Sequence, residues 1–199
     1  VVLAGELEKR TSTIAMAWSI TFYILAGLFI AFYLYHSYIL PHPASDKPAV
    51  GNVTANNIFK EFFATFASFF KKPQAGVAIL FMLFYRLPEA QLVKLINPFL
   101  LDPIEKGGLG LSTAEVGWVY GTIGIIGLTL GGIIGGICAA KGGLQKWLWP
   151  MAWSISLTCI TFVYLGYFQP QDLLTINICV FIEQFGYGFG FTAYMLYLI

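Results

Sequence analysis

Residues 13–40 read TIAMAWSITFYILAGLFIAFYLYHSYIL, and no Asp, Glu, Lys or Arg occurs between Arg10 and Asp46. A helix crossing the ~30 Å hydrocarbon core of a bilayer needs roughly 20 apolar residues at ~1.5 Å each. This run exceeds that length, so it reads as a spanning helix. Four further stretches meet the same requirement: from about Gln74 to Leu101, between Glu115 and Lys141, between Lys146 and Asp172, and from Leu173 onward. Transmembrane β-strands are only ~9–11 residues long and alternate strictly. These runs are too long and too uniformly apolar for that. An all-α transmembrane protein with five spanning helices follows, because a helix satisfies its own backbone polar groups in lipid.

Composition points the same way. The chain has 199 residues, of which 58% are hydrophobic, 17% aromatic and 11% charged, with mean hydropathy +0.75. A soluble domain carries about 25% charged residues. The net charge of +1 gives no electrostatic case for a nucleic-acid partner. Cys138, Cys159 and Cys179 lie in apolar stretches without metal-type spacing, so neither a disulfide framework nor a metal site is expected. No Ser–His–Asp set, phosphate loop or metal cluster stands out, so neither an enzyme nor a cofactor is expected. His36 and His42 read as interfacial residues. The chain starts at Val1 and stops inside the apolar run Tyr194 to Ile199, which reads as a piece of a longer polypeptide.

Three regions follow from the pattern: 1–40, containing the first span; 41–73, a linker; and 74–199, containing four spans. The linker opens with Pro41, Pro43 and Pro48. Asn56-Asn57 then offers a helix cap. Phe59, Phe62, Phe63, Phe66, Phe69 and Phe70 share one helical face flanked by Lys60, Glu61, Lys71 and Lys72. An amphipathic helix lying in the membrane interface and ending by Pro73 is predicted. With alternating helices, Lys47, Lys60, Lys71, Lys72, Lys141 and Lys146 fall on one side, against Lys9, Arg10 and Lys106 on the other. The larger group marks the cytoplasmic side.

Only Arg86, Glu89, Lys94 and Glu183 place charge inside the spans. Each costs at least ~2.5–3.5 kcal/mol near mid-bilayer on insertion scales. Arg86 lies ~18 Å along the second span and Glu183 ~16 Å along the fifth, from opposite ends, so both fall near the midplane. Glu89 is one helical turn beyond Arg86, and Lys94 is near enough to the boundary to snorkel. Pro88 sits between Arg86 and Glu89, where proline tends to kink a helix. Interrupted helices at the midplane are where secondary transporters bind solutes and ions. The Arg86 fork suits a carboxylate. Glu89 and Glu183 suit proton coupling, since a carboxyl withdrawn from water holds its proton more readily. An internal Arg–Glu pair that only fixes helix register is the structural alternative.

Gly117/Gly121, Gly127/Gly131/Gly135 and Gly132/Gly136 form a stripe on the third span for close helix approach. Gly186, Gly188 and Gly190 follow Glu183 and predict a flexible or broken fifth helix. Tyr187 and Tyr194 nearby are candidates for stacking on sugar rings.

Several stretches resemble the C-terminal half of a major facilitator superfamily transporter, and more closely the AmpG-like muropeptide permeases. They are Phe69-Phe70, Leu83-Phe84-Tyr85-Arg86-Leu87-Pro88-Glu89-Ala90, Pro98-Phe99-Leu100-Leu101, Leu111-Ser112-Thr113-Ala114-Glu115-Val116-Gly117, Gly121-Thr122-Ile123-Gly124, Gly131-Gly132, and Glu183-Gln184-Phe185-Gly186-Tyr187-Gly188-Phe189-Gly190-Phe191-Thr192-Ala193-Tyr194. The chain departs from the enterobacterial pattern at Pro88-Glu89 and at Phe185-Gly186-Tyr187-Gly188. Its Lys141–Lys146 loop lacks the superfamily's Asp-Arg core. The resemblance makes the fold a partial major facilitator helical bundle. Residues 1–40 would end an N-terminal half whose remainder is missing, 41–73 would be the central cytoplasmic loop, and 74–199 the first four helices of the second half. It implies proton-coupled import of anhydro-muropeptides or related sugar-peptides by alternating access across a bacterial inner membrane. Arg86, Tyr85, Tyr187 and Tyr194 would touch the solute, and Glu89 and Glu183 would carry protons. The expected partners are a small solute, protons, the lipid bilayer and the missing half. The competing expectations are a transporter of another organic anion or sugar, and a non-transporting receptor or assembly subunit.

Overall fold

A computed structural model describes residues 1–11, 13–41 and 55–198. The expectations placed on His42, Pro43, Lys47, Pro48 and the Asn56 and Asn57 side chains lie outside what it describes. Among the described residues all regular structure is helical. The elements are α1 (Val2–Glu8), α2 (Ile14–Ile39), α3 (Ala55–Phe70), α4 (Ala75–Leu101), α5 (Thr113–Trp118), α6 (Ile125–Gly142), α7 (Leu144–Leu157), α8 (Ile160–Phe168) and α9 (Leu173–Leu198). A π-helical stretch, Val119–Gly124, fuses α5 to α6.

Five helical stretches are long and apolar enough to cross a membrane: Ile14–Ile39, Ala75–Leu101, Thr113–Gly142, Leu144–Phe168 and Leu173–Leu198. The chain is a multi-pass membrane protein. The third span starts slightly before the position read from charge alone. Ser112 and Glu115 form a reciprocal capping box there, with Glu115 N–H donating to Ser112 Oγ at 3.3 Å and Ser112 N–H donating to Glu115 Oε2 at 2.8 Å. The fourth span is divided at Thr158–Cys159. Thr158 Oγ1 bonds back to the Ser154 carbonyl at 2.8 Å, Cys159 Sγ to that of Ile155 at 3.3 Å, and Thr161 Oγ1 to that of Thr158 at 2.8 Å. Such back-bonding competes with the helical ladder.

The described chain divides into two units. One comprises Phe22–Phe81. Within it, α3 has the expected aromatic face, with Phe62 stacked on Phe66 at a centroid spacing of 6.1 Å and Phe66 edge-on to Phe70 at 5.1 Å. The other unit comprises Val1–Thr21 and Met82–Ile199. Its centre is α9, which buries Ile176, Cys179, Val180, Glu183, Gly186, Gly188, Gly190 and Ala193. Helices α6 and α7 pack along it. Ile96, Leu100, Val116, Val119, Phe162 and Leu165 complete an apolar core with Ile176 and Val180.

The fifth span corrects the expectation of a broken helix: α9 runs without interruption through its three glycines. A Cβ on Gly186 would collide with Thr158, one on Gly188 with the Leu128 carbonyl, and one on Gly190 would lie 2.6 Å from the Met151 carbonyl. Neighbouring backbone at Gly188 and Gly190, and the Thr158 side chain at Gly186, come too close for a Cβ, and tertiary packing offsets the poor helix propensity of these glycines. The stripe on the third span has the same cause. A Cβ on Gly127 would meet the Phe181 carbonyl at 2.7 Å, one on Gly131 would collide with the Phe185 carbonyl, and one on Gly135 would meet Thr192 Oγ1 at 2.7 Å. Gly121 and Gly136 face open space. Helix α4 likewise continues through Pro88 and Pro98.

The contrast between Gly131 and Gly136 gives a prediction. Gly131→Leu forces α6 off α9 and is expected to destabilise the full-length protein by about 1–3 kcal/mol or more. Gly136→Ala fills empty space and replaces a poor helix former, so it should melt at or above the wild-type temperature. Thermal unfolding in detergent checks both. Equal effects at the two positions would refute the packing role.

Candidate functional site

The ionic segment of α4 meets α9 through Arg86. Arg86 and Glu89 stand one turn apart on α4 and form an ion pair, with Arg86 Nη2 donating to Glu89 Oε2 at 2.9 Å and Nε at 3.3 Å. Glu89 is buried (5% exposed), whereas the Arg86 side chain keeps 36% of its surface. The guanidinium reaches across to α9, where Nη2 also donates to Tyr187 Oη at 3.3 Å. Its Cζ lies 5.2 Å from the centroid of Phe191 and 5.8 Å from that of Tyr194, within cation–π range. Beside it, Tyr85 Oη donates to the Gly190 carbonyl at 2.7 Å, and the Tyr85 ring stacks on Tyr194 at 6.0 Å.

Each contact has a local origin. Tyr85 and Arg86 are adjacent on a helix, so one side chain docks on the α9 backbone while the other lies along its aromatic face. On α9, Glu183, Tyr187, Phe191 and Tyr194 follow at steps of four, four and three and therefore share a face. Tyr187–Phe191 and Phe191–Tyr194 centroids lie 5.4 and 5.5 Å apart, making a continuous aromatic wall. Gly190 has no side chain to shield its carbonyl from the Tyr85 hydroxyl.

Glu183 sits one turn from Tyr187 toward the start of α9 and is almost completely buried (2% exposed). Its Oε2 accepts a hydrogen bond from Gln184 Nε2 at 2.9 Å. Glu89 is within electrostatic reach of it. Two cavities lie in this unit. One of about 440 Å³ is lined by Tyr187, Phe191, Thr192 and Leu128. Another of about 690 Å³ is lined by Trp18, Asn97, Thr113, Val116 and Tyr120. Neither includes Arg86 or Glu183 in its lining.

Tyr85, Arg86, Glu89, Tyr187 and Tyr194 therefore come together as one cluster, with Glu183 a turn away. Lys94 is exposed and outside it. Phe191, Gln184 and Tyr120 belong to the same neighbourhood and were not singled out by the sequence. The four-residue step from Tyr187 signalled Phe191. The position of Tyr120 depends on the π-helical stretch, for which the sequence carries no periodic signal. Among the described residues no group of three or more His, Cys, Asp or Glu could hold a metal ion.

Comparison with known proteins gives a consistent set of relatives. A protein of Rickettsia typhi named "Putative transporter AmpG 2" is 30% identical over 99% of this chain and 45% of its own length. The Rickettsia prowazekii protein of the same name is 29% identical over the same shares. "Putative transporter AmpG 4" of Rickettsia felis is 29% identical over 91% of the chain and 42% of its own length. The chain thus spans about half the length of these relatives, and the similarity reaches well before Phe69, where the motif-level resemblance begins. No family model and no solved structure matches.

The ion pair makes a stability prediction. Glu89→Leu strands the Arg86 guanidinium in an apolar span and should lower the melting temperature of the full-length protein more than Tyr85→Phe, which removes a hydrogen bond of about 1 kcal/mol. Adding Arg86→Met to Glu89→Leu removes the stranded charge and should recover most of the loss. A double variant no more stable than Glu89→Leu alone would contradict the pairing.

Proposed function

We propose, from the premise that this is an AmpG-like chain, that it forms part of a proton-coupled importer of anhydro-muropeptides or related sugar-peptides, working by alternating access across a bacterial inner membrane. In this reading residues 1–40 close one helical half, 41–73 connect on the cytoplasmic side, and 74–199 provide the first four helices of the second half. The observation that carries the reading is the Arg86 guanidinium, partly exposed, paired with Glu89 and lying against the aromatic wall of α9.

That arrangement matches the chemistry of a solute with both carboxylates and sugar rings. Among the described residues Arg86 Nη1 has no hydrogen-bond acceptor, and Nη2 divides between Glu89 and Tyr187. An incoming carboxylate finds a planar fork of donors already oriented. Tyr187 and Tyr194 supply faces for a sugar ring, and Tyr85 holds α4 against α9 by its bond to Gly190. When a solute carboxylate takes Arg86, Glu89 loses its counter-ion in an apolar setting. An isolated carboxylate there is costly, and taking up a proton removes the cost. Solute and proton thus favour each other through one guanidinium. Glu183, buried and within reach of Glu89, is the second proton-carrying carboxyl.

The test is uptake into vesicles containing the full-length protein. Labelled anhydro-muropeptide should accumulate under a proton gradient, and simple sugars or peptides should compete poorly. Arg86→Lys should raise the half-saturation concentration at least tenfold, because the planar fork is lost. Glu183→Gln should abolish gradient-driven accumulation. Preferential uptake of another anion or sugar would overturn the solute assignment. Fully coupled, wild-type-rate uptake by Glu183→Gln would overturn the role of that carboxyl.

A further inference from the structure

The π-helical stretch Val119–Gly124 adds a residue to the wider turn of the third span, and π-turns concentrate at functional sites. It presents Tyr120 toward α9. A Cβ on Gly124 would lie 3.3 Å from Gln184 Cγ and 3.7 Å from Tyr120 Cδ1, so both side chains crowd one spot. The Tyr120 hydroxyl lies beside the Glu183 and Gln184 side chains, and its oxygen is buried without a hydrogen-bond partner within 3.5 Å among the described residues. The Glu183 carboxylate beside it accepts only the bond from Gln184 among the described residues.

A buried hydroxyl without a partner and a buried carboxylate with one donor are both costly, and each is the natural remedy for the other. We infer that Tyr120 is a positioning residue for Glu183, its hydroxyl serving as the second donor to that carboxylate. The inference rests on the reading of Glu183 as a proton-carrying group and extends it by assigning the partner of the ionised form. Gln184 holds the carboxylate from α9 itself, and Tyr120 holds it from the third span. Loss and gain of a proton at Glu183 then make and break a tie between the two helices. The other titratable or charged side chains facing this carboxyl are Glu89 on α4, Cys159 at the α7–α8 junction and Tyr187 on α9. None of them is a hydrogen-bond donor to it in the structure.

Infrared titration of the full-length protein in lipid tests the pairing without depending on transport. The Glu183 carboxyl band is the one lost in Glu183→Gln. In Tyr120→Phe, which keeps the ring and removes only the donor, that band should persist to higher pH by about one to two units, since a hydrogen bond to the charged form is lost. An unshifted band would overturn the inference. Should Tyr120→Phe fail to fold, the pair is read from its other end. The wild-type minus Glu183→Gln difference spectrum must then contain a tyrosine phenol band, and its absence would overturn the inference equally. A shifted band in a protein that moves no solute would refute the transport reading and leave the pair standing. Intact coupled uptake with an unshifted band would refute the pair alone.

Discussion

Charge in hydrocarbon has to be answered by a partner, and the structure around α4 and α9 follows from that constraint. A charged side chain at mid-bilayer is expensive, so it turns toward other protein groups. Arg86 and Glu89 answer each other along one helix. The guanidinium then needs a surface that tolerates a cation without supplying another full charge, and the aromatic wall of Tyr187, Phe191 and Tyr194 is such a surface. Glu183 is buried a turn away, where its carboxylate accepts a hydrogen bond from the Gln184 amide.

Packing supplies the precision that this arrangement requires. Lipid offers no hydrophobic drive between helices, so close van der Waals fit must hold them together. Gly127 and Gly131 on α6, and Gly188 and Gly190 on α9, remove side chains where backbones meet, and Gly186 makes room for the Thr158 side chain. Their consequence reaches the site. Gly190 lies open to the Tyr85 hydroxyl from α4 and to the α7 backbone at once. A helix held by glycine contacts on two faces keeps its third face, with Glu183, Tyr187 and Phe191, in a fixed register.

Much of this was legible in the sequence, and the reasons differ from element to element. The spans were legible because the bilayer imposes a length and the charged residues punctuate it. The Arg86–Glu89 pair was legible because a three-residue step on a helix is a geometric fact. Gly186, Gly188 and Gly190 read as a break because helix propensity is local, whereas their role depends on Thr158, Leu128 and Met151, which are distant in sequence. The division at Thr158–Cys159 carried a signal in Thr158, Cys159 and Thr161, whose side chains bond back to carbonyls of the same span. The π-helical stretch was not legible. It lies where the third span packs on α9, and with it went the position of Tyr120.

The central claim is that the ionic segment of α4 lies against the aromatic face of α9 within the membrane. Photo-crosslinking measures this directly: a benzophenone amino acid in place of Tyr187 of the full-length protein, irradiated in native membranes, with the adducts mapped by mass spectrometry. The account predicts adducts on the peptide carrying Tyr85, Arg86 and Glu89. Adducts formed only with lipid, or only with helices other than α4, would contradict it.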